Sequence, residues 1–200
     1  MTTATKDITD ILFERVGFEP YSNQEAVLRC GCRYILVAGG EQAGKSLTAS
    51  KFFLSQLPND LLKAAENKEV ALYWLVADDY DGVRREYDYI VDDLIALFGE
   101  KNVDYSKVVN PGHIDVKTGD NSFGIRVETK SGQDQKKLRM NAPYGIIVCE
   151  ASTVELGVYT RVMGRTAPRR GWAFFSGTFE EGSVGWYPQV FKSWKDARED

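Results

Sequence analysis

The stretch GGEQAGKS, residues Gly39 to Ser46, decides the fold of this chain of 200 residues. It matches the pattern GxxxxGK[ST], whose glycines let the backbone curl so that its N–H groups point at phosphate oxygens. The pattern has this meaning when a strand precedes it and a helix follows it. The apolar run Tyr34–Ala38 predicts a buried strand before the loop, and residues 45–56 predict a helix after it. We therefore interpret the stretch as a phosphate-binding loop (P-loop).

The last two residues of the loop supply its chemistry. A lysine at this place reaches the β and γ phosphates, and the hydroxyl that follows ligates magnesium. The start of the helix adds a positive partial charge. Lys45 and Ser46 are therefore the predicted phosphate and metal contacts. The competing interpretation is a glycine-rich turn that binds nothing, but the predicted strand and helix on either side favour the P-loop.

The rest of the chain alternates between apolar runs and helical patterns. Continuous apolar runs predict three further buried strands, at 70–77, 145–149 and 172–176. Helices are predicted at 23–30 behind a capping box of Ser22 and Glu25, at 83–98 before Gly99, from a capping box of Ser152 and Glu155 to about Arg165, and at 186–197. Alternating runs between 113 and 129 flank a turn at 119–122 and predict a hairpin.

This alternation of strands and helices predicts the fold class. Buried strands separated by helices are typical of an α/β fold with a mainly parallel sheet. We expect one domain over residues 1–200, because the length suits one domain and no linker is visible. The catalytic edge is expected at the carboxyl ends of the strands.

Composition narrows the function classes. The chain is 43% hydrophobic and 27% charged, which is ordinary for a soluble globular protein. Three cysteines without a CxxC pair do not predict a disulfide framework or a zinc site, and they fit a reducing compartment. No apolar run approaches 18 residues, so no membrane span is expected, and the polar residues 1–10 lack the apolar core of a signal peptide.

The charge and its distribution leave two interpretations open. A net charge of -4 argues against a wholly basic nucleic-acid binder. Residues 126–170 nevertheless hold nine basic side chains against four acidic ones, whereas acids crowd residues 78–93. A polarised surface of this kind would suit DNA or a neighbouring subunit. The other interpretation is that these are ordinary solvated faces.

A carboxylate follows the strand predicted at 145–149. A P-loop needs a carboxylate at the end of another strand to hold magnesium, and a glutamate at that place activates the attacking water in many such sites. Glu150 is the only carboxylate at this strand tip, so it is the candidate general base. The other interpretation is a solvated turn residue.

At this tip the sequence resembles a known family. Cys149-Glu150-Ala151 is similar to the Asp-Glu-Ala with which bacteriophage large terminases and related translocases end this strand. The resemblance implies their three-layer fold, the additional-strand, RecA-like (ASCE) class of P-loop NTPase. Cys149 stands in the place of the aspartate, and a thiol is a poor ligand for magnesium. Either Ser46, phosphates and water suffice, or another carboxylate such as Asp78 reaches the metal, or the ATPase is weakened or inactive.

Two segments resemble the family's other nucleotide contacts. Tyr21-Ser22-Asn23-Gln24 is similar to its adenine-recognition motif, in which a glutamine amide both donates to and accepts from the adenine edge, and Tyr21 can stack on a ring. Arg139 lies where large terminases have Leu-Arg-Gly, whose arginine acts as a finger in a neighbouring subunit's ATP site. The other interpretation of Arg139 is a surface or DNA contact. Lys136 and Lys137 beside it are expected to be solvated or near DNA.

The end of the chain carries two more similar segments. Ser176-Gly177-Thr178 resembles the family's coupling motif, whose small hydroxyl residues lie beside the γ-phosphate at a strand tip. Residues 185–191 resemble the Asn-Trp-Phe-Tyr stretch that follows, and their aromatic side chains are expected to pack the last helix on the core. Glu41 departs from the family, since many terminases have an arginine there.

The resemblance covers about residues 21–194 and implies a function. It implies a motor domain that uses ATP and Mg²⁺ to translocate double-stranded viral DNA into a capsid. The implied partners are DNA, further copies of the chain in a ring on the capsid portal, and the small terminase subunit, in the host cytoplasm and without a membrane. A large terminase also has a nuclease domain, which we do not expect within these 200 residues.

The predicted site residues follow from the motif and the resemblance together. The catalytic residues are Lys45, Glu150 and Arg139. The ATP contacts are Tyr21, Gln24, Gly39, Gly40, Glu41, Gln42, Ala43, Gly44, Lys45, Ser46 and Leu47. Two alternatives remain open: a helicase-like ATPase lobe, and a nucleotide-binding assembly module with little turnover, which Cys149 favours.

Overall fold

Seven strands form one sheet in this computed structural model, which describes residues 7–117, 124–179 and 185–199. The strands are β1 (Tyr34–Ala38), β2 (Ala71–Ala77), β3 (Val103–Tyr105), β4 (His113–Lys117), β5 (Gly124–Ser131), β6 (Gly145–Val148) and β7 (Trp172–Gly177). Their order across the sheet is β1-β7-β6-β2-β5-β4-β3. The first five in this order run parallel, and β4 and β3 add an antiparallel edge. The predicted α/β fold with a mainly parallel sheet is therefore confirmed.

Helices cover both faces of the sheet. They are α1 (Ile8–Arg15), α2 (Ser22–Leu28), α3 (Lys45–Glu66), α4 (Arg84–Phe98), α5 (Leu156–Thr166) and α6 (Trp186–Glu199), with 3₁₀ turns at Asp81–Val83, Glu100–Asn102 and Lys137–Arg139. Alternate residues of β2 separate the two faces, because Tyr73 packs with α3 and α4, whereas Trp74 packs with α5 and α6. The result is three layers with two apolar cores.

The parallel strands bring distant segments to one edge. Since β1, β7 and β6 are parallel neighbours, the residues that follow them meet at the carboxyl-terminal edge of the sheet. These residues are the P-loop after β1, Thr178 after β7, and Cys149 and Glu150 after β6. The P-loop, Thr178, Cys149 and Glu150 therefore lie together at the edge of the sheet where the catalytic site was predicted.

Three predicted helix boundaries were wrong. Helix α5 begins at Leu156 and not at Ser152, because Thr153 donates from its backbone N–H and its hydroxyl to the Glu150 carbonyl and forms a turn there. At α2 the reciprocal capping bond comes from Gln24 and not from Glu25, and the helix begins at Ser22. Helix α3 continues through Pro58 to Glu66. Its long buried face stabilises it although the proline cannot donate a backbone hydrogen bond.

Two elements were not predicted, and one prediction is only partly testable. Helix α1 and the short strand β3 lack a strong periodic pattern and were missed. The predicted hairpin is confirmed by the antiparallel pairing of β4 and β5. Its turn at 119–122 lies outside the described residues.

Within the described part of the chain, no helix combines the length and the apolar character that crossing a bilayer requires.

Candidate active site

The P-loop follows β1 and contains two residues with left-handed backbone conformations. Gly39 donates its N–H to the Gly177 carbonyl on β7, at 3.3 Å. Gln42 and Gly44 have φ angles of 58° and 75°, in the left-handed region, and Gly44 is the N-cap of α3. A Cβ on Gly44 would also lie 3.3 Å from the Gln24 amide nitrogen. A glycine at 44 is therefore required by both its φ angle and its neighbour.

Lys45 joins the P-loop to the tip of β7. Its ammonium donates to the carbonyls of Gly39 at 3.0 Å and Gly40 at 2.9 Å, and to the Thr178 hydroxyl at 3.0 Å. These bonds use all three N–H donors of the side chain. A phosphate that binds Lys45 must therefore replace at least one of these acceptors.

The rest of the loop faces outward or begins α3. Glu41, Gln42 and Ala43 are exposed at its tip, and Leu47 is half-buried in the first turn of the helix. The backbone N–H groups of this first helical turn have no partner within the helix. The loop is therefore open to a ligand at its tip and at the helix start, as the sequence motif predicts.

Ser46 faces a buried carboxylate that the sequence reasoning missed. Glu86, in the first turn of α4, is 3% exposed. Burial raises the pKa of Glu86, and hydrogen bonding with Ser46 and Cys149 opposes that shift. One signal was available in the sequence, since position 86 lies three residues after Val83 and four before Ile90, on the apolar face of the helix.

Cys149 is completely buried at the tip of β6. Burial raises the pKa of its thiol well above the ordinary value, and the negative charges of Glu86 and Glu150 raise it further. The side chain is therefore a protonated thiol that donates to Glu86. A protonated thiol does not ligate Mg²⁺, which takes oxygen ligands.

The donor set at this edge fits magnesium only together with phosphate and water. The described residues contain no group of three or more His, Cys, Asp or Glu side chains that could hold a metal by themselves. What they offer is the Ser46 hydroxyl with the Glu86 carboxylate against it. Magnesium commonly keeps several waters and binds few protein groups, so this small oxygen set suits it. Asp78, the carboxylate considered from the sequence, instead accepts from the Gln133 amide on the β5 side.

Glu150 is exposed at the site in a strained backbone conformation. Its φ angle is 45°, which is rare for a residue with a side chain. The turn is held by the Ala151 N–H, which donates to the Ser176 carbonyl, and by Thr153, which donates to the carbonyl of Glu150. A strained residue that its surroundings hold in place at a strand tip is a candidate functional residue. The tip therefore presents one ionisable carboxylate to solvent beside the P-loop.

The predicted coupling residues are buried or half-buried at the tip of β7. Ser176 is 2% exposed, and Thr178 is the acceptor for Lys45. Gly177 has no room for a side chain, since a Cβ would lie 3.0 Å from the Ser152 N–H nitrogen and 3.0 Å from Cζ of Tyr187. The tip of β7 thus touches the P-loop lysine, the turn after Glu150 and the start of α6.

Tyr21 and Gln24 lie beside the P-loop but have different environments. Tyr21 is 80% exposed. Gln24 is 8% exposed, and its amide accepts from the Tyr21 backbone N–H and donates to the Thr48 hydroxyl, each at 3.1 Å. These bonds dock α2 against the first turns of α3. The adenine contacts of both residues stay a prediction.

Arg139 lies on an exposed turn after β5. It is exposed in the 3₁₀ turn Lys137–Arg139, on the long connection between β5 and β6. Buried Leu138 anchors this turn in the core beneath α5, and Gln135 ties the same segment to Glu155 and Arg161. The structure therefore gathers the P-loop, Glu150 and the β7 tip at one edge, and among the described residues no hydrogen bond or ion pair joins the Arg139 side chain to them.

Comparison with known proteins finds similarity in structure rather than in sequence. No family model matches the chain, and a search of curated proteins finds no relative. The Thermus phage P74-26 large terminase ATPase domain is similar with a TM-score of 0.71 at 19% identity, over 91% of this chain and 73% of that one.

Two longer terminases share the same architecture. The HK97 bacteriophage large terminase gives a TM-score of 0.70 at 8% identity, over 98% of this chain and 42% of that one. The large terminase of a thermophilic bacteriophage, solved in complex with ADP, gives 0.54 at 11% identity, over 78% and 38%. The present chain thus has the P-loop α/β fold of large terminase ATPase domains, and it spans about two fifths of these two longer chains.

Proposed function

We propose that this chain is the ATP-hydrolysing motor domain of a large terminase and that it powers the packaging of double-stranded viral DNA into a capsid. The observation that carries the proposal is the junction at Lys45. There a P-loop lysine bonds both its own loop and Thr178, on the fold of terminase ATPase domains. The large terminase of the thermophilic bacteriophage, which shares this fold, has been solved with ADP and with ATP-γ-S.

The residues at the edge divide the work of hydrolysis. The loop N–H groups and Lys45 bind the phosphates, and the ammonium exchanges loop carbonyls for phosphate oxygens. Glu150, exposed on the neighbouring strand tip, accepts the proton of the attacking water. Tyr21 and Gln24 contact the adenine from the start of α2. Magnesium, when bound beside Ser46, neutralises the charge that develops on the phosphates.

Coupling and assembly involve residues outside the loop. Ser176, Gly177 and Thr178 sense the γ-phosphate, because Thr178 shares the lysine that the phosphate recruits. Arg139 completes the ATP site of a neighbouring copy, in a ring on the capsid portal. Its exposed position on an anchored turn supports a role toward another subunit. A guanidinium suits this role because its rigid fork of donors fits transferring phosphate oxygens.

The remaining parts of the proposal concern the surroundings of the motor. The partners are double-stranded DNA, the portal and the small terminase subunit, in the host cytoplasm. Residues 1–200 form one ATPase domain. Residues 126–170 carry less unpaired positive charge than their nine basic side chains suggest. Arg126 and Lys130 pair with Glu128, and Arg169 pairs with Glu69. Lys136 and Arg139 stay exposed and are the better candidates for DNA or subunit contacts.

One observation favours a second function. Since Cys149 is a buried thiol that does not ligate magnesium, a nucleotide-binding assembly module with little turnover is the alternative. Phosphate release with magnesium and ATP, measured with and without double-stranded DNA, separates the two. DNA-stimulated release would support the motor. Tight nucleotide binding without release under either condition would support the assembly module, and no binding at all would exclude both.

A further inference from the structure

Gln24 and Thr48 form a buried chain of hydrogen bonds that ends at the P-loop. The Gln24 amide donates to the Thr48 hydroxyl at 3.1 Å, and this hydroxyl donates to the Gly44 carbonyl at 2.9 Å. The two side chains are 8% and 4% exposed. The hydroxyl thus gives its single proton to the loop and accepts from the glutamine. The start of α2 is therefore bonded through α3 to the last glycine of the loop.

The Gly44 carbonyl determines where the next backbone N–H points. A peptide unit is planar and trans, so the N–H of Lys45 points opposite to the carbonyl of Gly44. That carbonyl accepts from both the N–H and the hydroxyl of Thr48, one turn further along α3. The N–H of Lys45 is therefore directed out of the helix start. An N–H at this position lacks a partner within its helix and can donate to a phosphate oxygen.

Gly44 depends on this support because of its own conformation. Its φ angle of 75° is left-handed, and glycine has the widest choice of other conformations. The Gln24 amide nitrogen lies so close that a Cβ at position 44 would be 3.3 Å from it. The glutamine thus covers the glycine from the α2 side, while Thr48 holds its carbonyl from the α3 side. Together they restrict the residue whose rotation would turn the N–H of Lys45 away from a phosphate.

We propose that Gln24 and Thr48 are positioning residues for the P-loop, which set its phosphate affinity through Gly44 whether or not a base is bound. The inference rests on the proposed function only in that the P-loop binds the phosphates of a nucleotide. Gln24 thereby has a second role beside its adenine contact. Its bonds with the Tyr21 N–H and with Thr48 use one lone pair and one N–H of the amide. The second lone pair and the second N–H are left for the adenine edge.

A ligand without a base separates this role from adenine recognition. Inorganic tripolyphosphate is titrated against a fluorescent ADP analogue bound to the full chain. Thr48→Val keeps the side-chain shape but removes the hydroxyl, and we expect it to weaken tripolyphosphate binding by about fivefold. Thr48→Ser keeps the hydroxyl and should bind like the wild type. Ser50→Ala is the matched control and should also bind like the wild type, because this buried hydroxyl of α3 donates to the Leu47 carbonyl, at 2.8 Å.

Variants of Gln24 test whether the two side chains act as one chain. Gln24→Met keeps the length of the side chain without its amide, and it should weaken tripolyphosphate binding about as much as Thr48→Val does. A residue that only reads adenine would leave this binding unchanged. The double variant should bind about as well as either single variant, because both changes break the same connection.

The results that overturn the inference are distinct from those that overturn the proposed function. Wild-type tripolyphosphate affinity in folded Thr48→Val or Gln24→Met overturns the inference alone, and so does an additive loss in the double variant. An equal loss in Thr48→Ser and Thr48→Val would assign the effect to packing and overturn it too. If circular dichroism shows that Thr48→Val does not fold, Thr48→Ala replaces it. A wild-type chain that binds the ADP analogue but not tripolyphosphate overturns the inference alone. A chain that binds neither overturns the proposed function as well.

Discussion

Asp60 and Glu86 are buried carboxylates at opposite edges of the same sheet, and they differ in the hydrogen-bond donors and cations around them. Asp60 accepts from the Trp172 indole N–H at 2.9 Å and the Tyr73 hydroxyl at 3.3 Å, and Lys63 lies 3.5 Å away. Glu86 accepts from a hydroxyl and a thiol and has no such cation among the described residues. Burial raises the pKa of both, and that of Asp60 reaches about 6.

The difference separates a structural edge from a chemical one. At the amino-terminal edge of the sheet, where β7 begins with Trp172, side chains of the core donate hydrogen bonds to the Asp60 carboxylate. At the carboxyl-terminal edge one neighbouring residue is strained, and no described lysine or arginine forms an ion pair with the buried carboxylate. Substitutions at the chemical edge should therefore change nucleotide chemistry and preserve folding. Substitutions at the structural edge should do the reverse.

The largest expected effect is at Lys45. Lys45→Ala should abolish ATP hydrolysis, because it removes the contact to the β and γ phosphates. Its unfolding free energy should fall by no more than about 3 kcal/mol, since each of the three lost hydrogen bonds is worth about 1 kcal/mol and the variant should still fold. Lys63→Ala, on the same helix but beside Asp60, is the control and should keep full turnover in a phosphate-release assay. Normal turnover in Lys45→Ala would refute the P-loop assignment.

Arg139 tests whether the chemical edge is complete within one chain. Arg139→Ala should leave ATP binding intact and lower turnover by about 1,000-fold in assembled rings, the scale of a lost arginine finger. Turnover per wild-type chain should rise with concentration. Mixing Arg139→Ala chains with Glu150→Gln chains should restore part of the activity, because some interfaces then pair an intact Glu150 with an intact Arg139. A mixture as inactive as its parents would assign Arg139 to the surface or to DNA.

Glu150 gives a smaller loss at the same edge. Glu150→Gln keeps the shape of the side chain but cannot accept a proton, so hydrolysis should fall by about 100-fold or more while ATP still binds. Single-turnover hydrolysis and nucleotide titration measure the two quantities on one sample. Equal loss of binding and hydrolysis would show that the glutamate holds the nucleotide instead of activating water.

The smallest effect is on stability, at the structural edge. The pKa of Asp60 is raised from 3.8 to about 6 on folding, so the folded state binds the extra proton between these values. The unfolding free energy should therefore fall as the pH rises through about 4 to 6, by up to about 3 kcal/mol from this group. Asp60→Asn should lose this dependence, which urea titrations of both proteins across the pH range would reveal. Nucleotide binding should not change.

Sequence reasoning found the parts of the site that are contiguous in the chain. The P-loop was predictable because its glycines, lysine and serine follow one another between a strand and a helix, and Glu150 directly follows a buried strand. The sheet topology then brings these two segments together. The contact between Ser46 and Glu86 was missed because it joins two helices, and hydrophobic spacing alone does not state which polar residue on an apolar face meets which loop.

Helix boundaries failed where local signals compete with tertiary contacts. Ser152 and Glu155 have capping-box spacing, but Thr153 bonds back to the Glu150 carbonyl, and the helix begins only after Glu155. The helix predicted at 45–56 continues through Pro58 to Glu66, because the buried residues around the proline, including Phe53 and Leu57, keep it intact. In both places the three-dimensional packing outweighs a preference that the sequence states correctly.

Tyr187, in the first turn of α6, packs closely against Gly177 of β7. The tyrosine hydroxyl donates to the Val37 carbonyl on β1 at 2.8 Å, while its ring lies against the bare backbone of β7. Because position 177 is a glycine, no side chain of β7 separates the two. The first turn of α6 is thus joined through one side chain to the tips of both strands beside the phosphate loop.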